Sequence, residues 1–186
     1  MYSDEIQRLI DRSSMFMFIS TIASLISVIT TFTAADFLSN DLPPSVASKY
    51  FQLLTFPGLN AVTGLVAVSA VMAVVGGFII YMARSSLNRR EFMGLPSIVT
   101  TSLALLVIAL ASAVGVYIIY YQNVGLPNMV GPLLPGTLSL VLSMVLLVIS
   151  IALTFMTLMM INELRRRYTP RRVRRRQPPP PPPPEV

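Results

Sequence analysis

The chain has 186 residues, is 54% hydrophobic and only 12% charged, and carries a net charge of +6. A soluble domain holds about twice that share of charged residues, so the composition is that of a membrane protein. With no cysteine or histidine, the chain by itself excludes disulfides, thiolate chemistry, Cys/His zinc sites and histidine-ligated haem.

Residues 1–12 predict a short amphipathic helix. Asp4 and Glu5 stand at its start, and Ile6, Leu9 and Ile10 share one face. It is expected to lie along the membrane surface. Residues 13–35 predict the first span, TM1. An apolar stretch of about 18 residues is longer than a signal peptide's, so this segment is expected to be retained. Residues 36–60 form an outer loop. Within it Pro44 suits a first helical turn, and Val46, Tyr50, Phe51, Leu53 and Leu54 make one apolar side of an interfacial helix ending before Pro57 and Gly58.

Residues 61–83 predict TM2, and residues 84–96 a short connection in which Arg84, Arg89 and Arg90 face a single acid, Glu91. TM3 takes residues 97–121 and closes on an aromatic belt of Tyr117, Tyr120 and Tyr121. Residues 122–136 form a charge-free outer loop rich in glycine and proline. TM4 follows at residues 137–162. Its charge-free run makes a helix of roughly 37 Å, enough to cross a hydrocarbon core of about 30 Å with tilt. The tail, residues 163–186, holds Arg165, Arg166, Arg167, Arg171, Arg172, Arg174, Arg175 and Arg176 and then seven consecutive prolines. The prolines predict an extended polyproline II segment. The fold class expected is therefore an all-α integral membrane protein of four transmembrane helices.

Lys49 is the single lysine; the other 13 of the 14 basic residues are arginines in the amino-terminal segment, the middle connection and the tail. With four spans these three regions share a side, which predicts a multi-pass protein of the cell (plasma) membrane with both termini cytoplasmic.

No span contains an ionisable Asp, Glu, Lys, Arg or His. A proton relay or a charged substrate site needs such a group within the membrane. Paired carboxylates, a nucleophile with its base and a metal ligand set are likewise missing, so the expectation is no enzyme, no cofactor and no metal. The polar residues of the spans are hydroxyls in stripes. Ser20, Ser24, Ser27 and Thr31 follow one helical face of TM1, and Ser139, Ser143, Ser150, Thr154 and Thr157 one face of TM4. In TM2, Ser69, Ala73 and Gly77 are four apart, as are Ala111 and Gly115 in TM3. Small residues let helix backbones approach closely in lipid, so these positions predict helix-packing seams. Met15, Met17, Met156, Met159 and Met160 read as flexible core packing. The arginines of the tail predict contact with anionic lipid head groups or a partner.

The function expected is a non-enzymatic accessory or structural subunit of a larger membrane complex. Its partners are the bilayer and other membrane protein subunits or further copies of itself, and nucleic acid is not among them. Two alternatives stand beside it: an oligomeric channel or small-solute transporter lined by the hydroxyl stripes, and a tether that recruits a cytoplasmic partner through the Arg/Pro tail.

Overall fold

The computed structural model describes residues 2–41, 59–85, 95–124, 131 and 133–168. Among these, every residue except Gly131 and Leu133 is helical. The described residues form four helices, α1 (Tyr2–Asp41), α2 (Leu59–Ser85), α3 (Leu95–Val124) and α4 (Leu134–Tyr168). All four are long and apolar enough to cross a membrane, the architecture of a multi-pass membrane protein. Proline stands at the second residue of α3 and of α4, where its missing N–H and fixed φ suit a first turn. The entry to α4 is tied by Leu134 N–H donating to the Gly131 carbonyl and Thr137 N–H to that of Leu133.

Each helix buries one narrow stripe. In α1 it runs through Ile6, Ile10, Ser13, Met17, Ser20, Ser24, Ser27, Thr31 and Ala34; in α3 through Leu95, Val99, Ser102, Leu106, Ala109, Ala113, Val116 and Tyr120. The steps alternate between four and three residues, and α2 and α4 keep the same rhythm. A repeat near 3.5 against the helix's 3.6 is the period of helices that pack along their length with a slight left-handed crossing. The chain runs up and down through the bundle, α1 packing on α2 and α4, and α3 closing the ring between α2 and α4.

One apolar cluster lies where the start of α1, the end of α2, the start of α3 and the end of α4 meet. It contains Ile6, Ile10, Met17, Ile80, Leu95, Val99, Ile161 and Leu164. A second, around Val62, Val66, Leu106, Ala109, Ala113 and Leu147, fills the bundle further along. The outer surface is equally apolar: Phe32 is 67% exposed, Ile29 65% and Val71 63%. Water does not tolerate so continuous a patch on a monomer, whereas lipid does.

Two expectations change. The amino-terminal segment is no separate surface helix. It is the first three turns of α1, which has no proline or glycine along its 40 residues. Across the expected boundary the Ser13 hydroxyl donates back to the Ile10 carbonyl of the same helix at 2.9 Å. Ile6 and Ile10 bury against Ile161 and Leu164, because α4 also overshoots its charge-free run and gives them a partner. The other change is at the carboxyl-terminal end of α1, which continues to Asp41, into the expected first loop. The interfacial helix expected after Pro44 lies outside the described residues.

Candidate functional site

The hydroxyl stripes of α1 and α4 face each other. The two helices are antiparallel, so rising numbers on one meet falling numbers on the other. Near the centre Ser20 and Thr154 share a hydrogen bond of 2.8 Å, and the Ser24 hydroxyl donates to Ser150 Oγ at 3.2 Å. About one turn beyond Ser24, Ser27 and Ser143 share a bond of 2.9 Å, and Thr31 shares another with Ser143. The Ser20 hydroxyl also reaches the Ser150 carbonyl at 3.1 Å, and that of Ser150 reaches the Ser20 carbonyl at 3.3 Å. Each hydroxyl has one proton and two lone pairs, so Ser20 can donate to the Ser150 carbonyl while accepting from Thr154, and Ser150 can donate to the Ser20 carbonyl while accepting from Ser24. A hydroxyl reaching the facing helix's carbonyl requires the two backbones to lie close, which only small side chains allow.

A smaller seam joins α2 and α3. Ser69 and Ser102 share a bond of 3.1 Å, and each hydroxyl lies within reach of the other's carbonyl, at 3.2 and 3.3 Å. At the far end Tyr120 and Thr137 bond at 3.2 Å between α3 and α4. Among the described residues no buried side-chain oxygen or nitrogen lacks a partner. The interior is therefore polar in places yet fully satisfied, which is what a dry membrane interior demands.

The remaining predicted positions divide. Ala73 and Gly77 are buried on α2, Gly77 against Met17. Thr157 is buried and donates to the Leu153 carbonyl of its own helix, and Ser139 is half-buried. Ala111 and Gly115 do not join this interior. Ala111 is exposed, and a side chain at Gly115 would meet open space. The stripe of α3 runs instead through Ser102, Ala109 and Ala113, offset to the other side of the helix. Sequence spacing missed Ser102 because it is the single serine or threonine on that stripe, with no second one in step to mark the face.

Six basic residues fall among those described, Arg8 and Arg12 on α1, Arg84 on α2 and Arg165, Arg166 and Arg167 on α4. All belong to the end of the bundle where the first apolar cluster lies. Arg165 and Arg166 are exposed. Arg171, Arg172, Arg174, Arg175, Arg176 and the prolines lie outside the described residues. Among the described residues no three His, Cys, Asp or Glu side chains gather as a metal ion would require.

Compared with protein families, curated proteins and solved structures, the chain matches none.

Proposed function

We propose that this protein is a non-enzymatic accessory or structural subunit of a larger membrane complex. It stands in the cell membrane with its arginine-bearing end and both termini in the cytoplasm. The observation that carries the reading is how its polar groups are used. Ser20, Ser24, Ser27, Thr31, Ser143, Ser150 and Thr154 bond one another between α1 and α4 of a single chain. They are thereby spent on holding the bundle together, which favours a packing unit over a pore lined by the same stripes. The outward face is apolar and notched at Gly64 and Gly115, where added side chains meet nothing. Notches of that kind suit close approach by another membrane helix. The gathering of the described arginines at one end supports the cytoplasmic assignment.

The test is native mass spectrometry of the particle extracted in mild detergent. Different polypeptides in fixed ratio with this chain are the expected result. A chain that leaves the membrane alone, as a clean monomer, overturns the reading. Sidedness is read separately. The chain has no cysteine, so a single cysteine at Gln177 should resist a membrane-impermeant thiol reagent in intact cells, while one at Asn128 should react.

A further inference from the structure

We infer that the outward line of α1 binds one anionic phospholipid, with its phosphate between Arg8 and Arg12 and an acyl chain along the apolar side chains that follow. The buried stripe fixes the roll of α1, because Ile6, Ile10, Ser13, Met17 and Ser20 all turn inwards. Set midway between them, with the same steps of four and three, are Arg8, Arg12, Met15, Ile19, Ile22 and Ile26, all exposed. Positions displaced by half a period lie on the opposite side of a helix, so this line faces away from the bundle. The roll is held in place at the end that matters. α1 has no proline or glycine, and Ile6 and Ile10 pack against Ile161 and Leu164.

The line changes character in the order in which a phospholipid does. Arg8 and Arg12 are four residues apart, so their side chains leave one face of the helix about 6 Å apart along its axis. The Cβ of a helical residue tilts towards the amino terminus, which in α1 is the way out of the hydrocarbon. Arg12 therefore reaches head-group level directly, and the two guanidiniums offer forked donors to phosphate oxygens. Among the described residues no other two arginines share a line, since Arg165, Arg166 and Arg167 are consecutive and fan out by about 100° each. Beyond Arg12 the line is apolar from Met15 to Ile26, a rise of about 16 Å, close to one leaflet's half of a hydrocarbon core of about 30 Å. An acidic stretch of protein would meet the arginines but has no use for the apolar run. Two acids lie near. Glu5 and Asp11 each have a partner within the structure already; Glu5 stands about 10 Å further out than Arg12, and Asp11 lines the α2 side with Tyr81. The positive charge between Arg8 and Arg12 favours a head group of net negative charge over one whose phosphate is balanced by its own ammonium. The site rests on the bundle standing in a bilayer and not on its having protein partners, so loss of the subunit reading leaves it in place.

The chain contains no tryptophan, which makes a single introduced one an unambiguous probe. Met15→Trp reports on the line, one turn inwards from Arg12. Phe78→Trp is the control, because Phe78 is 59% exposed on α2 at about the same depth, as the contact of Met17 with Gly76 and Gly77 shows. The full-length proteins are reconstituted in vesicles of phosphatidylglycerol and phosphatidylcholine, with brominated acyl chains on one lipid and then on the other. Quenching at Phe78→Trp establishes that the bundle is embedded. At Met15→Trp phosphatidylglycerol should be preferred on the order of tenfold, since each arginine near the surface contributes about fivefold and Glu5 offsets part of it. Adding Arg12→Gln should cut the preference to about twofold. Exchanging the charge, Gln7→Arg with Arg12→Gln, should cut it as far although the net charge is unchanged, because the exposed Gln7 is not on the line. Neither change should alter Phe78→Trp. Equal preference at the two probes means ordinary surrounding lipid and overturns the proposal. So does an exchanged protein that keeps its full preference at Met15→Trp, or a fall of the same size at both probes, since either means that the charged end as a whole gathers the lipid.

Discussion

The α1/α4 and α1/α2 interfaces share a helix and close it by opposite means. Towards α4, α1 presents serines and a threonine that bond hydroxyls and carbonyls opposite. Towards α2, it presents Met17, fully buried, over a pair of glycines. A side chain begun at Gly76 would meet Met17 Cε at 3.1 Å, and one begun at Gly77 would meet Met17 Cγ at 3.6 Å. Lipid offers no hydrophobic drive for association, so close approach must come from interhelical hydrogen bonds or from van der Waals contact at small residues. α1 uses the first on one side and the second on the other. Hydrogen bonding spreads the stabilisation over many weak, interchangeable links, whereas the methionine over two glycines concentrates it at one point.

The largest mutational effect should therefore come from the concentrated contact. Gly76→Leu drives a branched side chain into Met17, Ile98 and Val99. Overpacking of this kind costs about 1–3 kcal/mol, to be read as loss of stability in detergent or bicelles. Combining it with Met17→Ala should restore part of that loss, since the new leucine then occupies the vacated space. An unchanged Gly76→Leu protein would place Met17 elsewhere. Gly76→Ala should cost far less, because the tightest neighbour is the free end of a flexible side chain.

Next comes the distributed seam. Ser143→Ala removes the one hydroxyl that bonds both Ser27 and Thr31. Neither is orphaned, because Ser27 still reaches the Ser143 carbonyl and Thr31 the Ser27 carbonyl. The expected cost is about 1 kcal/mol, within the range measured for interhelical hydrogen bonds in membranes. Ser69→Ala breaks a single reciprocal pair with Ser102 and should cost less, about 0.6 kcal/mol. Losses of several kcal/mol in either protein would mean that the seams act as cooperative units.

These differences also explain what a reader of the sequence sees. Ser20, Ser24, Ser27 and Thr31 stand out because hydroxyls are conspicuous in an apolar run, and their spacing alone puts them on one face. The face they meet is not written in α1, since a repeat of 3.5 fixes a stripe and not its neighbour. In α3 a stripe of Leu95, Val99, Leu106 and Ala109 looks like any lipid-facing surface. A helix apolar all round offers no contrast between inside and outside, so the spacing of Ala111 and Gly115 marks a small-residue face without saying whether it turns towards the bundle or away from it. The first turns of α1 have the pattern of a surface helix. Their burial depends on the end of α4, more than a hundred residues away, being long enough to receive Ile6 and Ile10. Lengths and charge distribution are local properties and are readable, whereas the pairing of faces is not.

The smallest effect on the bundle itself belongs to the outward notches, and there the comparison reaches the proposed function. Gly115→Leu adds a side chain where nothing lies within 4 Å of the new Cβ. The stability of the isolated bundle should change by no more than about 0.5 kcal/mol, as for substitutions away from packed features. If α3 receives a partner's helix at Ala111 and Gly115, the same substitution removes the close approach that the notch allows. The partner should then be lost from the particle extracted in mild detergent, although this chain remains folded. Gly64→Leu on α2 makes a matched second case, since its Cβ also meets nothing. Loss of a partner from one protein and not the other would show which helix it docks on. Retention in both, with unchanged bundle stability, would mean that any partner is held at the basic end or through the tail, and that the notches face only lipid.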